Sequence, residues 1–325
     1  MSIVSRLTVG VIARNGMPFL QRCLASLDDL DGLAEHLEFV LVDCLSDDGT
    51  GSAMRAFADA HPGTRVYRVD GSANAAIARN VVLNHAHAGS LLLLDGDVAV
   101  NREFLAQGLA YIVHGQANAV TGRLAEQRHD GDNHPLERVD DIMGVNSKRH
   151  TRIAGGVLLL GPAASASGLR YDESLPRNED RDFALRLSER YSLWQIPVSM
   201  GLHLTRRYYH PSRLDAYYRE SYQRPVGTLI RKHIARPARV LAIVGAESGL
   251  FFGLALQTLI VAGLLASWLL LALTLLAVGC DVARFALQRR IHEYLPIRVW
   301  GPWMFVAGLF GPRELAPSYT VTPVA

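Results

Sequence analysis

Asp95 and Asp97 stand two positions apart, with Gly96 between them, directly behind the run Leu91-Leu92-Leu93-Leu94. Two carboxylates on so short a segment make a doubly anionic clamp. Their oxygens are hard ligands, so the clamp suits a divalent cation shared with the phosphates of a nucleotide. The same residues also spell a plain Asp-Gly turn after a strand. Downstream, Glu179, Asp180 and Asp182 crowd the start of a helical stretch after Asn178. Acids there are favoured by the helix dipole; one that projects into a cleft is instead a general base. Asp43 follows the apolar run Phe39-Val40-Leu41-Val42. A carboxylate at that place either accepts hydrogen bonds from a base or ribose or caps the next turn. Arg79 and Asn80 lie on the helix before the clamp strand, where a guanidinium fork either faces a diphosphate or is solvated.

The elements that must position these groups are legible from their apolar patterns. Thr8–Ala13, Phe39–Val42, Thr64–Val69 and Leu91–Leu94 read as strands, and the stretches after Pro18, at 51–60 and at 74–87 as helices. Four leucines in a row indicate a strand buried on both faces, as in a parallel sheet covered by helices. Strand and helix alternate at short spacing, so the expected fold is α/β: a Rossmann-like, mostly parallel sheet with flanking helices and right-handed crossovers. Ligands of such sheets bind beyond the strand C-termini, where Asp43 and Asp95 fall. Neither GxxxxGK[ST] nor GxGxxG occurs. Residues 124–154 are polar and read as an irregular, mobile loop, a lid if it lies beside the site. Their His129, Asp130, Asp132 and His134 match no defined metal-ligand spacing. Gly155-Gly156 then leads into a buried strand, Val157–Leu160, and the helix after Asn178 runs to about Arg190.

At 325 residues the chain holds one large or two ordinary domains. With 33 Lys and Arg against 31 Asp and Glu, the net charge is +2, which argues against nucleic acid as the main partner. Cys23, Cys44 and Cys280 form no CxxC pair and read as reduced core or membrane residues. The N-terminus enters a strand almost at once, without a basic and then apolar leader, so the polar part is expected to stay in the cytoplasm.

The apolar excess is concentrated near the C-terminus. Between Val240 and Cys280 the one charged residue is Glu247, placed either near an interface or in a functional role. Leu241–Asp281 is about twice the roughly 20 residues that one span needs. Two helices with a tight turn near Gly263–Ser267 fit it, as a spanning or a re-entrant hairpin. Basic residues flank both ends, among them Arg284, Arg289 and Arg290 on the far side, which places both ends in the cytoplasm. Before it, residues 206–239 interleave Arg206, Arg207, Arg224 and other basic residues with tyrosines. So close to an apolar tract, this suits anionic head groups or a lipid pyrophosphate. Leu295–Pro312 has an interfacial or re-entrant composition, and the tail after Glu314 is expected to be disordered.

In this order the motifs resemble those of the family 2 inverting glycosyltransferases of GT-A fold. Thr8–Leu27 is similar to the family's opening strand, RN-type loop and first helix. Val42–Thr50 falls in register with VDDGSxDGT, Ala78-Arg79-Asn80 with ARN, Asp95-Gly96-Asp97 with DxD, and Asn178-Glu179-Asp180 with ED. The resemblance covers roughly residues 1–205. It implies that Asp43 contacts the nucleotide base, Asp95 the ribose or donor sugar, and Asp97, with Asp95, the metal. It implies donor contacts for Arg14, Arg79 and Asn80, with Arg79 near the diphosphate, and Asp180 as catalytic base with Glu179 beside it. The resemblance also implies His203 or His210 as a third metal ligand. Cys44, Leu45 and Gly16 depart from the family pattern around base recognition. The C-terminal arrangement is similar to that of succinoglycan-type exopolysaccharide glycosyltransferases.

The resemblance thus implies a catalytic domain at 1–205, basic juxtamembrane helices at 206–239, a membrane hairpin at 240–283 and an interfacial segment with a tail at 284–325. The expected activity is inverting transfer of a sugar from a nucleotide donor, taken to be UDP-linked, to a polyprenyl-diphosphate-linked glycan at the inner membrane, in cell-surface polysaccharide synthesis. Mg²⁺ or Mn²⁺ is the expected cofactor. Arg206, Arg207 and Arg224 are expected at the lipid head group, and a homo-oligomer is compatible with the sequence. Three rivals stay open: a polyprenyl-phosphate glycosyltransferase, a membrane nucleotidyltransferase, and a non-catalytic assembly scaffold.

Overall fold

A computed structural model of the chain describes residues 4–152, 155–175, 177–206, 224–288, 291, 294–311 and 317–324. It divides into two compact units, one of Met1–Arg206 with Leu315–Ala325, the other of Arg207–Glu314.

The first unit runs β1 (Val4–Ala13), α1 (Phe19–Ala25), β2 (Ala34–Cys44), α2 (Thr50–Ala60), β3 (Arg65–Gly71), α3 (Ala75–His85), β4 (Ser90–Asp95), β5 (Val98–Val100) and α4 (Arg102–Val113). It continues through β6 (Ala119–His129), β7 (Pro135–Val139), β8 (Arg149–His150), β9 (Val157–Leu160), α5 (Pro162–Ser165), α6 (Glu179–Leu187) and β10 (Leu193–Arg206), and closes with β11 (Tyr319–Pro323). One sheet has the strand order β11-β3-β2-β1-β4-β9-β6-β10-β5. β3, β2, β1 and β4 are mutually parallel. Beyond them β9 is antiparallel to β4 and β6, β10 is parallel to β6, and β5 is antiparallel to β10. This is the expected α/β sheet with flanking helices, its second half mixed rather than parallel. The four-leucine run is buried on both faces: Leu92 and Leu94 join one core with α1 and α4, and Leu91 and Leu93 join another with α3 and α6.

Register brings the acids of two strands to one edge. Ala13 at the end of β1 pairs with Asp43 on one side, and Ile12 with Asp95 on the other.

Two expectations need correction. Within 124–152 the chain is not wholly irregular: β6 and β7 form a hairpin, and β8 pairs with β10. The stretch is polar because its strands are held by cross-strand charge, Arg128 pairing with Glu137 in register at 2.7 Å. The tail after Glu314 also returns to structure, since β11 pairs antiparallel with β3. Its alternation explains this: Tyr319 and Val321 pack on the core while Thr320 and Thr322 face out.

The second unit comprises helices Arg224–His233, Pro237–Ala246, Ser248–Ala266 and Trp268–Leu287, a π-helical turn Leu295–Trp300 and a helix Gly301–Phe310. Gly249–Ala266 and Trp268–Leu287 are long and apolar enough to cross a membrane. Their faces stay open, with Leu265 83%, Trp268 81% and Leu287 86% exposed. Ser267 separates the two and caps the second by accepting the Leu270 N–H, while Glu247 sits at the break before the first. Arg298 is buried between Phe252 and Phe285, 2.7 Å from Asp281 Oδ2 and 2.7 Å from the Gly249 carbonyl. A charge in apolar surroundings persists when paired in this way.

Candidate active site

The clamp is built by the sheet. Gly96 donates its N–H to the Ile12 carbonyl at 2.8 Å, and Asp97 accepts the Leu204 N–H of β10 at 2.7 Å. A Cβ at position 96 would lie 2.8 Å from Ala13 Cβ and 3.0 Å from the Ile12 oxygen, so only glycine lets β4 turn there against β1. Gly156 at the start of β9 has the same importance for Asp95. A Cβ on it would lie 2.4 Å from Asp95 Oδ2.

Arg79 organises the acids. It is 5% exposed, held by α3. Its Nη2 donates to Asp95 Oδ1 at 2.6 Å, its Nη1 donates to Glu179 Oε1, and the guanidinium lies over the Tyr171 ring. Asp95, Asp97, Glu179 and Asp180 thus share one electrostatic neighbourhood. Burial pushes the Asp95 carboxyl up, Arg79 pulls it back, and Asp97, Glu179 and Asp180 push it up again, to about 6. Burial likewise raises Glu179, against the pull of Arg79.

Glu179 and Asp180 are adjacent on the first turn of α6, behind an Asn178 in the left-handed conformation at φ 63°. They face different surroundings. Glu179 is buried and tied to Arg79. Asp180 is half-buried and accepts the Arg181 N–H at 2.7 Å. Glu179 therefore anchors α6 to α3, and Asp180 is the more exposed of the two acids.

His203 comes to the clamp from β10. Its Nε2 lies 3.2 Å from Asp97 Oδ2 and its Nδ1 3.3 Å from Glu126 Oε2 on β6. Burial disfavours the imidazolium, but the hydrogen bonds to Asp97 and Glu126 outweigh it and lift the ring to about 10. The Asp97 Oδ1, shielded from solvent, has no hydrogen-bond partner among the described residues. An orphaned carboxylate oxygen within a cluster of acids is the donor set a hard divalent cation completes. Asp97 and Asp95 therefore fit Mg²⁺ or Mn²⁺.

The loop after β2 lies on the other side of β1 from the clamp, and it meets the loop after β1. Arg14 is exposed and reaches the Ala73 carbonyl at 3.4 Å. Asn15 accepts the Asp47 N–H at 3.0 Å and donates its own N–H to Ser46 Oγ at 2.8 Å, so the two loops brace one another. Asp43 is buried, with Oδ1 accepting the Ser46 N–H at 3.1 Å. Between them Leu45 holds φ 56°, a left-handed backbone that costs an L-residue about 1–2 kcal/mol. Leu45→Gly is expected to be neutral or stabilising by up to about 1 kcal/mol despite losing a side chain. Thermal melting of the two proteins checks it, and a clear drop in Tm would show that the Leu45 side chain outweighs the strain.

Other expected residues fall elsewhere. Asn80, expected at the donor, is engaged within the protein. Its amide donates to the Tyr171 carbonyl at 3.0 Å and to Glu173 Oε1 at 2.8 Å, and accepts the Tyr171 N–H at 2.8 Å, so it ties α3 to the segment before α6. Arg206 ends β10 with Nε donating to Asn133 Oδ1 at 2.9 Å, and Arg224 opens a helix of the second unit. Arg207 and His210 lie outside the described residues. Asp130, Asp132 and His134 bring ligand atoms within 4.8 Å of one another at the β6–β7 turn. Asp130 Oδ1 there accepts the N–H groups of Asp132 and His134, which shapes the turn. His129 turns instead to the Thr205 carbonyl and the Phe19 ring. Glu126 and Gly156 were not singled out from the sequence. Nothing local marks Glu126 within a polar stretch, whereas a glycine pair before a strand was a visible signal for Gly156.

Residues 8–171 match the family model described as glycosyl transferase family 2. No curated protein matches the chain in sequence. Among solved structures, a mannosyltransferase from Pyrobaculum calidifontis in complex with GDP-Man and Mn²⁺ superposes with a TM-score of 0.63 at 19% identity, over 95% of this chain and 88% of that one. S. aureus TarS 1-349 in complex with UDP-GlcNAc gives 0.53 at 16% identity, over 71% of this chain and 73% of that one. At these identities the likeness speaks for the fold.

Proposed function

The chain belongs to glycosyl transferase family 2, and on that premise we propose that it is a metal-dependent, inverting transferase that moves a sugar from a nucleotide donor to a lipid-linked acceptor at the cytoplasmic face of a membrane. The observation that carries the reading is the orphaned Asp97 Oδ1 at the strand edge where Asp95, Glu179 and Asp180 converge on Arg79. Donors of both base types are held by structural relatives, GDP-Man in one and UDP-GlcNAc in another, and the UDP class is our choice.

Asp97, with Asp95 and His203 beside it, would hold the cation, which when bound neutralises the leaving nucleoside diphosphate. Asp43 on its strand end accepts from the base, and Arg14 flanks the same loop. Arg79 keeps Asp95 and Glu179 in fixed relation. Asp180 takes the proton of the acceptor hydroxyl as that oxygen attacks the anomeric carbon from the face opposite the leaving group. One displacement inverts the anomeric centre. The two membrane-length helices and the basic residues 206–239 support an anchored enzyme with a lipid diphosphate acceptor, and Arg206, Arg207 and Arg224 are our candidates for its head group.

The test is direct. The purified full chain is given UDP- and GDP-sugars, Mn²⁺ and polyprenyl-diphosphate acceptors, and the product anomer is read by NMR. Inverted glycoside with release of nucleoside diphosphate supports the reading, and release of pyrophosphate would make the protein a nucleotidyltransferase. Gly156→Ala is expected to push the Asp95 carboxylate off Arg79 and to cut kcat about 10²-fold, for a stability loss of about 1–3 kcal/mol. Unchanged kcat in that variant would show that Asp95 needs no fixed rotamer.

A further inference from the structure

Glu126 has no part in the chemistry above, yet it is buried, 8% exposed, and aimed at the site. It lies on β6 directly beside His203 of β10 in the parallel register, and His203 in turn faces Val98 of β5, the residue after Asp97. Three neighbouring strands thus set carboxylate, imidazole and carboxylate in a row, with the His203 nitrogens 3.3 Å from Glu126 and 3.2 Å from Asp97. On its far side Glu126 accepts from Arg128 Nε, and Arg128 Nη1 is held by Glu137 of β7 at 2.7 Å. Burial raises the Glu126 carboxyl, but the hydrogen bonds from His203 and Arg128 bring it below its ordinary value, so it is an ionised acceptor.

We propose that Glu126 is a positioning residue: it fixes the His203 ring, through Nδ1, so that Nε2 faces Asp97, and in doing so sets the affinity of the Asp97 side of the site for a divalent cation. This rests on the donor-site reading given above. The physical reason is that an imidazole has two nearly equivalent nitrogens and a free χ2. The Nε2 proton that Asp97 holds would be given up on cation binding; a carboxylate on Nδ1–H then fixes the remaining tautomer and the ring orientation, and leaves Nε2 for the other partner. Without it the ring can turn away from Asp97 at little cost. The β6–β10 ladder and burial hold Glu126 itself in place, so its hold on His203 does not depend on Arg128 on the far side.

The experiment titrates Mn²⁺ into the full chain in detergent, with UDP or GDP present, and follows free Mn²⁺ by its EPR signal. Wild type is compared with Glu126→Ala, Glu126→Gln, Arg128→Gln and Asp97→Asn. Glu126→Ala is expected to weaken Mn²⁺ binding about 10- to 100-fold. Glu126→Gln, which keeps an acceptor for Nδ1–H, is expected to restore most of it, and Arg128→Gln to stay near wild type. If Asp97→Asn loses Mn²⁺ while Glu126→Ala keeps it, the inference falls and the donor-site reading stands. Arg128→Gln as weak as Glu126→Ala would assign the effect to hairpin packing and overturn the inference as well. If wild type takes up no Mn²⁺, the reading falls and the inference with it. Should the alanine chain fail to fold, Glu126→Asp carries the test, because it keeps the charge but withdraws the carboxylate by one methylene. Weakened binding supports the inference, and wild-type binding overturns it.

Discussion

Asp180→Asn is expected to lower the rate of sugar transfer by about 10²- to 10⁴-fold, the range a positioned general base supplies. The substitution keeps size and the Arg181 N–H contact but removes the proton acceptor. Donor binding is expected to be unchanged, because the Asp95–Arg79–Glu179 bracket does not depend on Asp180. Single-turnover rates with a saturating donor separate the two effects. The same variant discriminates between acceptors. A lipid phosphate is already anionic and needs no base, so full activity in Asp180→Asn would move the reading to a polyprenyl-phosphate glycosyltransferase.

The largest stability effect is expected at Arg79. Its guanidinium fork joins α3 to β4 through Asp95 and to α6 through Glu179. Removing it in Arg79→Ala leaves Glu179 as a buried carboxylate without its cation. Breaking a buried pair from one side costs about 3–5 kcal/mol. For a unit of this size that lowers Tm by on the order of 10 °C. Asp95 is a third exposed on its side chain, so it can recover water and contributes less of the loss than Glu179. A double-mutant cycle with Glu179→Gln checks the assignment. If Arg79→Ala and the double variant lose the same stability as Glu179→Gln alone, the pair is one interaction. If the two losses simply add, the bracket is not what holds α6.

Much of this was legible in the chain because it is local. Leu91–Leu94 reads as a doubly buried strand from composition alone, and Asp95-Gly96-Asp97 must then fall at its C-terminal edge. The Asn178-Glu179-Asp180 sequence marks a helix start for reasons of dipole and turn chemistry. What escaped is long-range. Arg79 and Glu179 are a hundred positions apart, and no periodicity reports that one takes up the other's charge. The motif resemblance implied Arg79 near a diphosphate but said nothing of its protein partners. The fold shows that Asp95 and Glu179 occupy its fork. Glu126 lies in a stretch whose polarity suggested loop, because a hairpin held by cross-strand ion pairs lacks the apolar runs of the central strands. The β11 strand escaped because its short alternation, Tyr-Thr-Val-Thr, gains meaning only against the open edge of β3. Leu45 was read as a departure from the family pattern. Its positive φ indicates that the loop keeps a glycine-like bend there without a glycine.

The central claim is that Asp97 holds a cation which binds together with a nucleoside diphosphate. The measurement that tests it most directly is thermal stabilisation of the purified full chain by UDP, GDP, CMP and dTDP, each with Mn²⁺ and with EDTA, beside Asp97→Ala. A ligand that binds only the folded state stabilises it by about 2.7 kcal/mol at a hundred times its Kd. The account predicts a rise in Tm with one class of nucleoside diphosphate, present with Mn²⁺, absent with EDTA and lost in Asp97→Ala. Equal stabilisation in EDTA or in Asp97→Ala, or none with any nucleotide, would contradict it.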